Sequence, residues 1–116
     1  MTGQEPLTPA VFHILLSLAD GEKHGYAIMQ EISNRTGGQM TMGPGTLYGT
    51  IKRLLEAGLI QESGERSDPT LDDQRRRYYR LTARGRQKAI TESERLAELV
   101  RVARTKSLLK RPQRAY

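Results

Sequence analysis

Apolar residues recur at intervals of three and four along most of this chain, and the interval drops to two only between residues 59 and 81. Ala10, Val11, Ile14, Leu15 and Leu18 form the first helix-period stripe. Thr8 is placed to cap it and Pro9 occupies the first helical position, where a missing N–H costs nothing. Asp20-Gly21-Glu22-Lys23 breaks the pattern. This helix is very apolar and has few charges on its outer side, so a partner subunit is expected to cover part of it. His24-Gly25 opens a second helix whose buried side is predicted to hold Tyr26, Met29 and Ile32; residues 34–38 end it. Residues 39–42 read as a short connector with one strand-like bridge.

The best-marked helix spans residues 43–57. Gly43 serves as N-cap, Pro44 as first residue, and Gly58 as the left-handed stop. Leu47, Ile51, Leu54 and Leu55 form its buried stripe. Its other face carries Gly45, Tyr48, Gly49, Lys52 and Glu56, flanked by Thr46, Thr50 and Arg53. Small residues, then a Tyr, then two adjacent cations make a face that can lie close against another surface. Two helices joined by a connector, the second with such a face, form a helix-turn-helix layout with a long turn.

Beyond Gly58 the period of two predicts a hairpin. Residues 59–63 form one strand, residues 64–74 a polar loop with Pro69, and residues 75–81 the return strand. Tyr79 and Leu81 share one face of that strand and are expected in the core. A hairpin directly after the second helix of the pair is a wing. Thr82 then caps a last helix expected to reach residue 109. Ala89, Leu96, Val100 and Ala103 lie on one near-heptad seam, with Ile90, Leu99 and Val102 beside it. A helix of that length cannot pack fully on so small a domain, and pairing with a second copy is the economical explanation.

The fold class is therefore mainly α with a small β-hairpin. A flexible lead (1–7) precedes a winged helix-turn-helix domain (8–81; second helix 43–57, wing 59–81). A long C-terminal dimerisation helix (82–109) and a basic tail (110–116) follow. Val11, Leu15, Leu96, Leu99, Val100 and Ala103 are the expected dimerisation residues.

Charge changes this picture in one respect. The chain has 116 residues, a net charge of +6 and a pI near 10.0, which favours a polyanionic partner. The excess is not on the 43–57 helix, which holds two cations and one anion; residues 82–116 hold ten cations and three anions. Grip by charge alone is excluded, and the wing and the free N–H groups at the start of that helix must share the work. The expected contacts to double-stranded DNA are Gly45, Thr46, Tyr48, Lys52 and Arg53 from the helix and Arg75, Arg76 and Arg77 from the wing. Strand alternation points Arg75 and Arg77 one way and Arg76 the other, so not all three serve at once.

There is no Cys, which removes disulfides, thiolate metal sites and Cys nucleophiles. His13 and His24 lack a metal-ligand spacing, the glycines do not form a nucleotide phosphate loop, and Asp72-Asp73 reads as a turn. No catalytic residue, metal or cofactor is expected, and the chain is not read as an enzyme. The apolar run 11–19 is too short to span a bilayer and the N-terminus lacks a cationic leader, so a cytoplasmic, non-membrane protein is expected.

These pieces are similar to the PadR family of bacterial transcriptional regulators. The resemblance rests on Leu7-Thr8 before the apolar helix, His24-Gly25-Tyr26, Gly45-Thr46-Leu47-Tyr48, Lys52-Arg53-Leu54, Gly58-Leu59-Ile60, and residues 75–82 with Gly85. It covers residues 7–109. It implies a homodimer that binds a palindromic operator and usually represses its gene. Some members release DNA on binding a small-molecule effector, a phenolic acid or a planar drug. By that analogy a pocket at the dimer centre lies between Phe12, the first helix and the last. Two departures stand out: Gly49 follows Tyr48 where Pro is frequent, and there is no Trp to wall a flat drug. The alternative reading is a winged-helix protein-interaction module without operator binding.

Overall fold

In the computed structural model, which describes residues 5–67 and 75–110 with the backbone alone at 66, 67 and 75, Thr8 caps α1 (Pro9–Ser17) by accepting the Val11 N–H at 3.3 Å. The expected lead is tied down at its end: Leu7 packs on the core and its N–H donates to Glu92 at 3.2 Å. Residues 1–4, the loop tip with Pro69, Asp72 and Asp73, and tail residues 111–116 lie outside the described residues.

The chain then makes a strand that the sequence pattern did not show, β1 (Lys23–His24). Two residues carry no period. His24 caps α2 (Gly25–Arg35) through Nδ1, which accepts the Ala27 N–H at 3.1 Å. The buried side of α2 is Gly25, Ile28 and Ile32 rather than the expected Tyr26, Met29 and Ile32. Tyr26 is 39% exposed and its hydroxyl accepts from Gln30 Nε2 at 3.0 Å. An aliphatic pair one turn apart fills the core more completely than a phenol that must keep its oxygen hydrated. The connector after α2 holds turns and no strand-like bridge.

Helix α3 (Pro44–Glu56) has Gly43 as N-cap, and Gly58 follows it at φ +75°, as its ends predict. Thr50, expected on the outer flank, is buried and donates to the Thr46 carbonyl at 2.9 Å, while Leu55 is half-buried. A small side chain that satisfies its own hydroxyl within the helix can enter the core at little cost. Leu47, Ile51 and Leu54 join Ile14, Leu15, Leu18, Ile28, Ile32, Leu59, Ile60 and Tyr79 in one core.

The wing falls where expected, but its paired ladder is longer. β2 (Ile60–Ser67) and β3 (Arg75–Leu81) pair antiparallel from Ile60 opposite Leu81 to Ser67 opposite Arg75, with a bulge between Glu62 and Gly64. Residues 64–67 thus belong to the ladder, not to the loop. The outer half of the hairpin has no core beneath it, so it needs no apolar alternation, which is the only sign a sequence offers. β1 pairs with the other edge of β3, giving the order β1-β3-β2.

Thr82 locks the wing to the last helix, α4 (Ala83–Thr105). Its Oγ1 accepts the Gly85 N–H at 3.0 Å and donates to the Gly58 carbonyl at 2.6 Å, and its N–H reaches Leu59 O at 3.1 Å. A Cβ on Gly85 would stand 1.8 Å from that same Leu59 oxygen. α4 stops at Thr105, not 109. Ser107 turns left-handed at φ 64°, and the Leu108 N–H closes on Ala103 O at 2.9 Å. Leu108 and Leu109 are 78% and 45% exposed, so no burial rewards a further turn. Beyond Glu92 no residue of α4 is buried. The helix projects, and the radius of gyration, 16.3 Å, exceeds the about 13 Å of a compact chain this long.

Candidate nucleic-acid interface

The exposed side of α3 begins at its cap. Gly43 offers no side chain to the first turn, and Pro44 has no N–H, so the next N–H groups face outward without a side-chain partner. Residues 43–46 are all exposed, as are Lys52 and Arg53 further along. The Arg53 guanidinium donates to Thr50 Oγ1 at 3.2 Å, which lays it along its own helix. A Cβ at Gly45 or Gly49 would meet nothing within 4 Å. Among the described residues, no packing demands either glycine.

Tyr48 is 42% exposed. Its ring leans on the first turn of α2, against Gly25. Its charge, when ionised, is felt by Tyr79, whose hydroxyl is pushed up first by burial and then by Tyr48 and Glu62. Tyr48 therefore stands between the two helices of the pair and close to the central strand.

On the wing, Arg76 is half-buried and Arg77 exposed. Arg77 Nε sits 3.8 Å from Glu65 and 3.9 Å from Glu62; at that range and exposure the pairs contribute little. Among the described residues, the acids near Arg77 are these two, across the ladder. Arg75 has its backbone in β3, and its side chain lies outside the described residues.

The residues expected at a dimer seam divide. Leu99 and Val100 are 52% and 37% exposed, joined by Leu16 at 38% and Ile90 at 44%. Val11, Leu96 and Ala103 are half-buried. Leu15 has no exposed surface and belongs to the core of its own chain, so it has nothing to offer a partner. It sits on the inner side of α1, one position before Leu16, whose side chain does face outward.

Between α1 and α4 a groove of about 390 Å³ is lined by Leu7, Pro9, Phe12, His13, Glu92, Arg95 and Leu96. Arg95 pairs with Glu92. That bond holds the Glu92 carboxyl below its usual range, helped by the Leu7 N–H against the effect of burial. Burial, then the charge of Arg35, pushes the His13 imidazole below its ordinary value; Arg35 lies 3.0 Å from His13 Nδ1. Among the described residues no three His, Asp or Glu side chains gather to hold a metal ion. No described helix is long and apolar enough to cross a membrane.

Residues 14–91 match the model of the transcriptional regulator PadR-like family. The chain belongs to that family. It is a DNA-binding transcriptional regulator of the PadR type and not an enzyme. Over 90 residues it is 46% identical to transcriptional regulator Rv3488 of Mycobacterium tuberculosis, a match that covers 77% of each protein. Among solved structures, a PadR family regulator from Clostridium difficile superposes with a TM-score of 0.70 at 22% identity, covering 84% of this chain and 97% of that one. Bacillus subtilis PadR in complex with operator DNA gives 0.59 at 21% identity, covering 96% of this chain and 52% of that one. These likenesses show the winged helix-turn-helix fold.

Proposed function

We propose that this PadR-family regulator is a cytoplasmic homodimeric repressor, with two α3 helices entering successive major grooves of a palindromic operator about 34–36 Å apart. The observation that carries the reading is the pair Gly45 and Gly49 on the outer face of α3. A glycine inside a helix costs about 1 kcal/mol relative to alanine, and none of the described residues occupies the space a Cβ would take at Gly49. A helix that gives up that stability on an exposed face leaves its backbone open to close approach by a partner. Thr46, Tyr48, Lys52 and Arg53 surround the glycines. Lys52 and Arg53 suit guanine O6 and N7, Thr46 a thymine methyl or a phosphate, and the open first turn a phosphate. Arg76 and Arg77 extend the contact to the adjacent minor groove. The Bacillus subtilis relative was solved on operator DNA, which supports operator binding here.

Dimerisation rests on the projecting half of α4 with Leu96, Leu99, Val100 and Ala103, together with Val11 and Leu16 of α1. The groove beside Phe12 is the proposed effector site. A phenolic acid there would release the operator by changing how the dimer spaces its two α3 helices.

The test is a mobility shift on the DNA upstream of the protein's own gene. Retardation at low salt that fades steeply as salt rises is the expected result. Lys52→Ala with Arg53→Ala should weaken it by at least tenfold. A folded wild-type protein that leaves this DNA unshifted contradicts the reading. Release of the shifted band by added phenolic acids tests the effector site, and Phe12→Ala should abolish that release.

A further inference from the structure

Gly25 and Gly85 are both buried and both crowded, but by different things. At Gly85 a Cβ would strike the backbone of Leu59. At Gly25 the three nearest atoms it would strike all belong to the end of one side chain: Tyr48 Oη at 2.3 Å, Cζ at 2.6 Å and Cε1 at 2.9 Å. Tyr48 is 42% exposed, so its ring has open space to swing into. The fold can therefore accept a methyl group at residue 25 by moving one side chain. Gly25 also begins α2 with ordinary backbone angles, where alanine is at least as good a helix former. Neither a backbone neighbour nor backbone conformation explains why a glycine stands there, whereas the position of Tyr48 does.

We infer that Gly25 is a positioning residue for operator binding: it seats the Tyr48 ring against the start of α2 and so holds the phenol hydroxyl in place for a DNA contact. This rests on the operator-binding reading above. The contact spans both helices of the helix-turn-helix, since Tyr48 belongs to α3 and Gly25 to α2. A displaced Tyr48 loses its own contact and stands in the way of the duplex.

The experiment compares wild type, Gly25→Ala, Tyr48→Ala and the double variant by fluorescence anisotropy on the upstream DNA, with a thermal melt of each. Gly25→Ala should melt within a few degrees of wild type yet bind about tenfold more weakly, the effect of one lost hydrogen bond to a charged group. Tyr48→Ala should lose a similar factor, and the double variant no more than Tyr48→Ala alone. Wild-type affinity in Gly25→Ala overturns the inference. So does a double variant whose loss is the product of the two single losses, or a Gly25→Ala protein that melts far below wild type. If wild type itself fails to bind DNA, the operator reading falls as well; if wild type binds and Gly25→Ala binds equally, this inference falls alone.

Discussion

At Gly85 the atom in the way of a side chain is a carbonyl oxygen of the backbone, Leu59 O. That oxygen already accepts the Thr82 N–H at 3.1 Å. A methyl group would force α4 away from the wing and open that bond, so Gly85→Ala should destabilise the fold by about 1–3 kcal/mol or more, read as a lower denaturation midpoint. Glu92 is a second residue with a definite cost. Its carboxyl is held below the ordinary value by Arg95 and by the Leu7 N–H. A depressed carboxylate contributes its stability fully above the unfolded value and loses it as pH falls through the folded one. Wild type should therefore lose more stability than Glu92→Gln on acidification below about 4.5. Equal pH profiles in thermal melts would show that the bond contributes nothing. The sequence showed Glu92 only as one acid among the cations of α4; its burial depends on α1 and on Leu7, far away in the chain.

Helix α3 was legible from end to end, because Gly43, Pro44 and Gly58 mark its limits by local chemistry alone. Its inner face was legible except at Thr50, whose hydroxyl is satisfied within the helix and whose burial a polar label hides. Helix α2 was legible as a helix, but its rotation was not. Stripes through Tyr26 and through Ile28 both satisfy the period, and only packing chooses between them. β1 was invisible because its two residues gain their pairing from β3, more than fifty positions on. The wing's outer ladder and the early stop of α4 share one cause: where there is no core, pattern carries no information. Of the candidate site, the residue types on α3 could be read, whereas the seat of Tyr48 on Gly25 could not. Opposing effects are expected of Gly49→Ala. It should raise stability by about 1 kcal/mol and yet weaken operator binding, because the added methyl group lies on the approaching face. A variant that is more stable and binds equally well would remove the argument from the glycines.

The whole molecule is extended, 52 Å along its longest axis, because α4 outruns the domain it starts from. Its exposed Leu99 and Val100, with Leu16 and Ile90, leave an apolar surface that a second copy would cover. Light scattering should give a mass twice 13.1 kDa. Leu99→Glu with Val100→Glu should give the single-chain mass with an unchanged circular dichroism spectrum, and should lose operator affinity, since one wing and one α3 grip only half a site. A stable monomer in the wild type would favour a module that binds another protein.

In the proposed complex two copies of α3 read one symmetric site. Hydroxyl-radical footprinting of the protein on the upstream DNA tests it most directly. Two protected patches related by two-fold symmetry are expected, centred about one helical turn (10–10.5 base pairs) apart on one face of the duplex. A single unsymmetrical patch, or uniform protection with no fixed position, would contradict it.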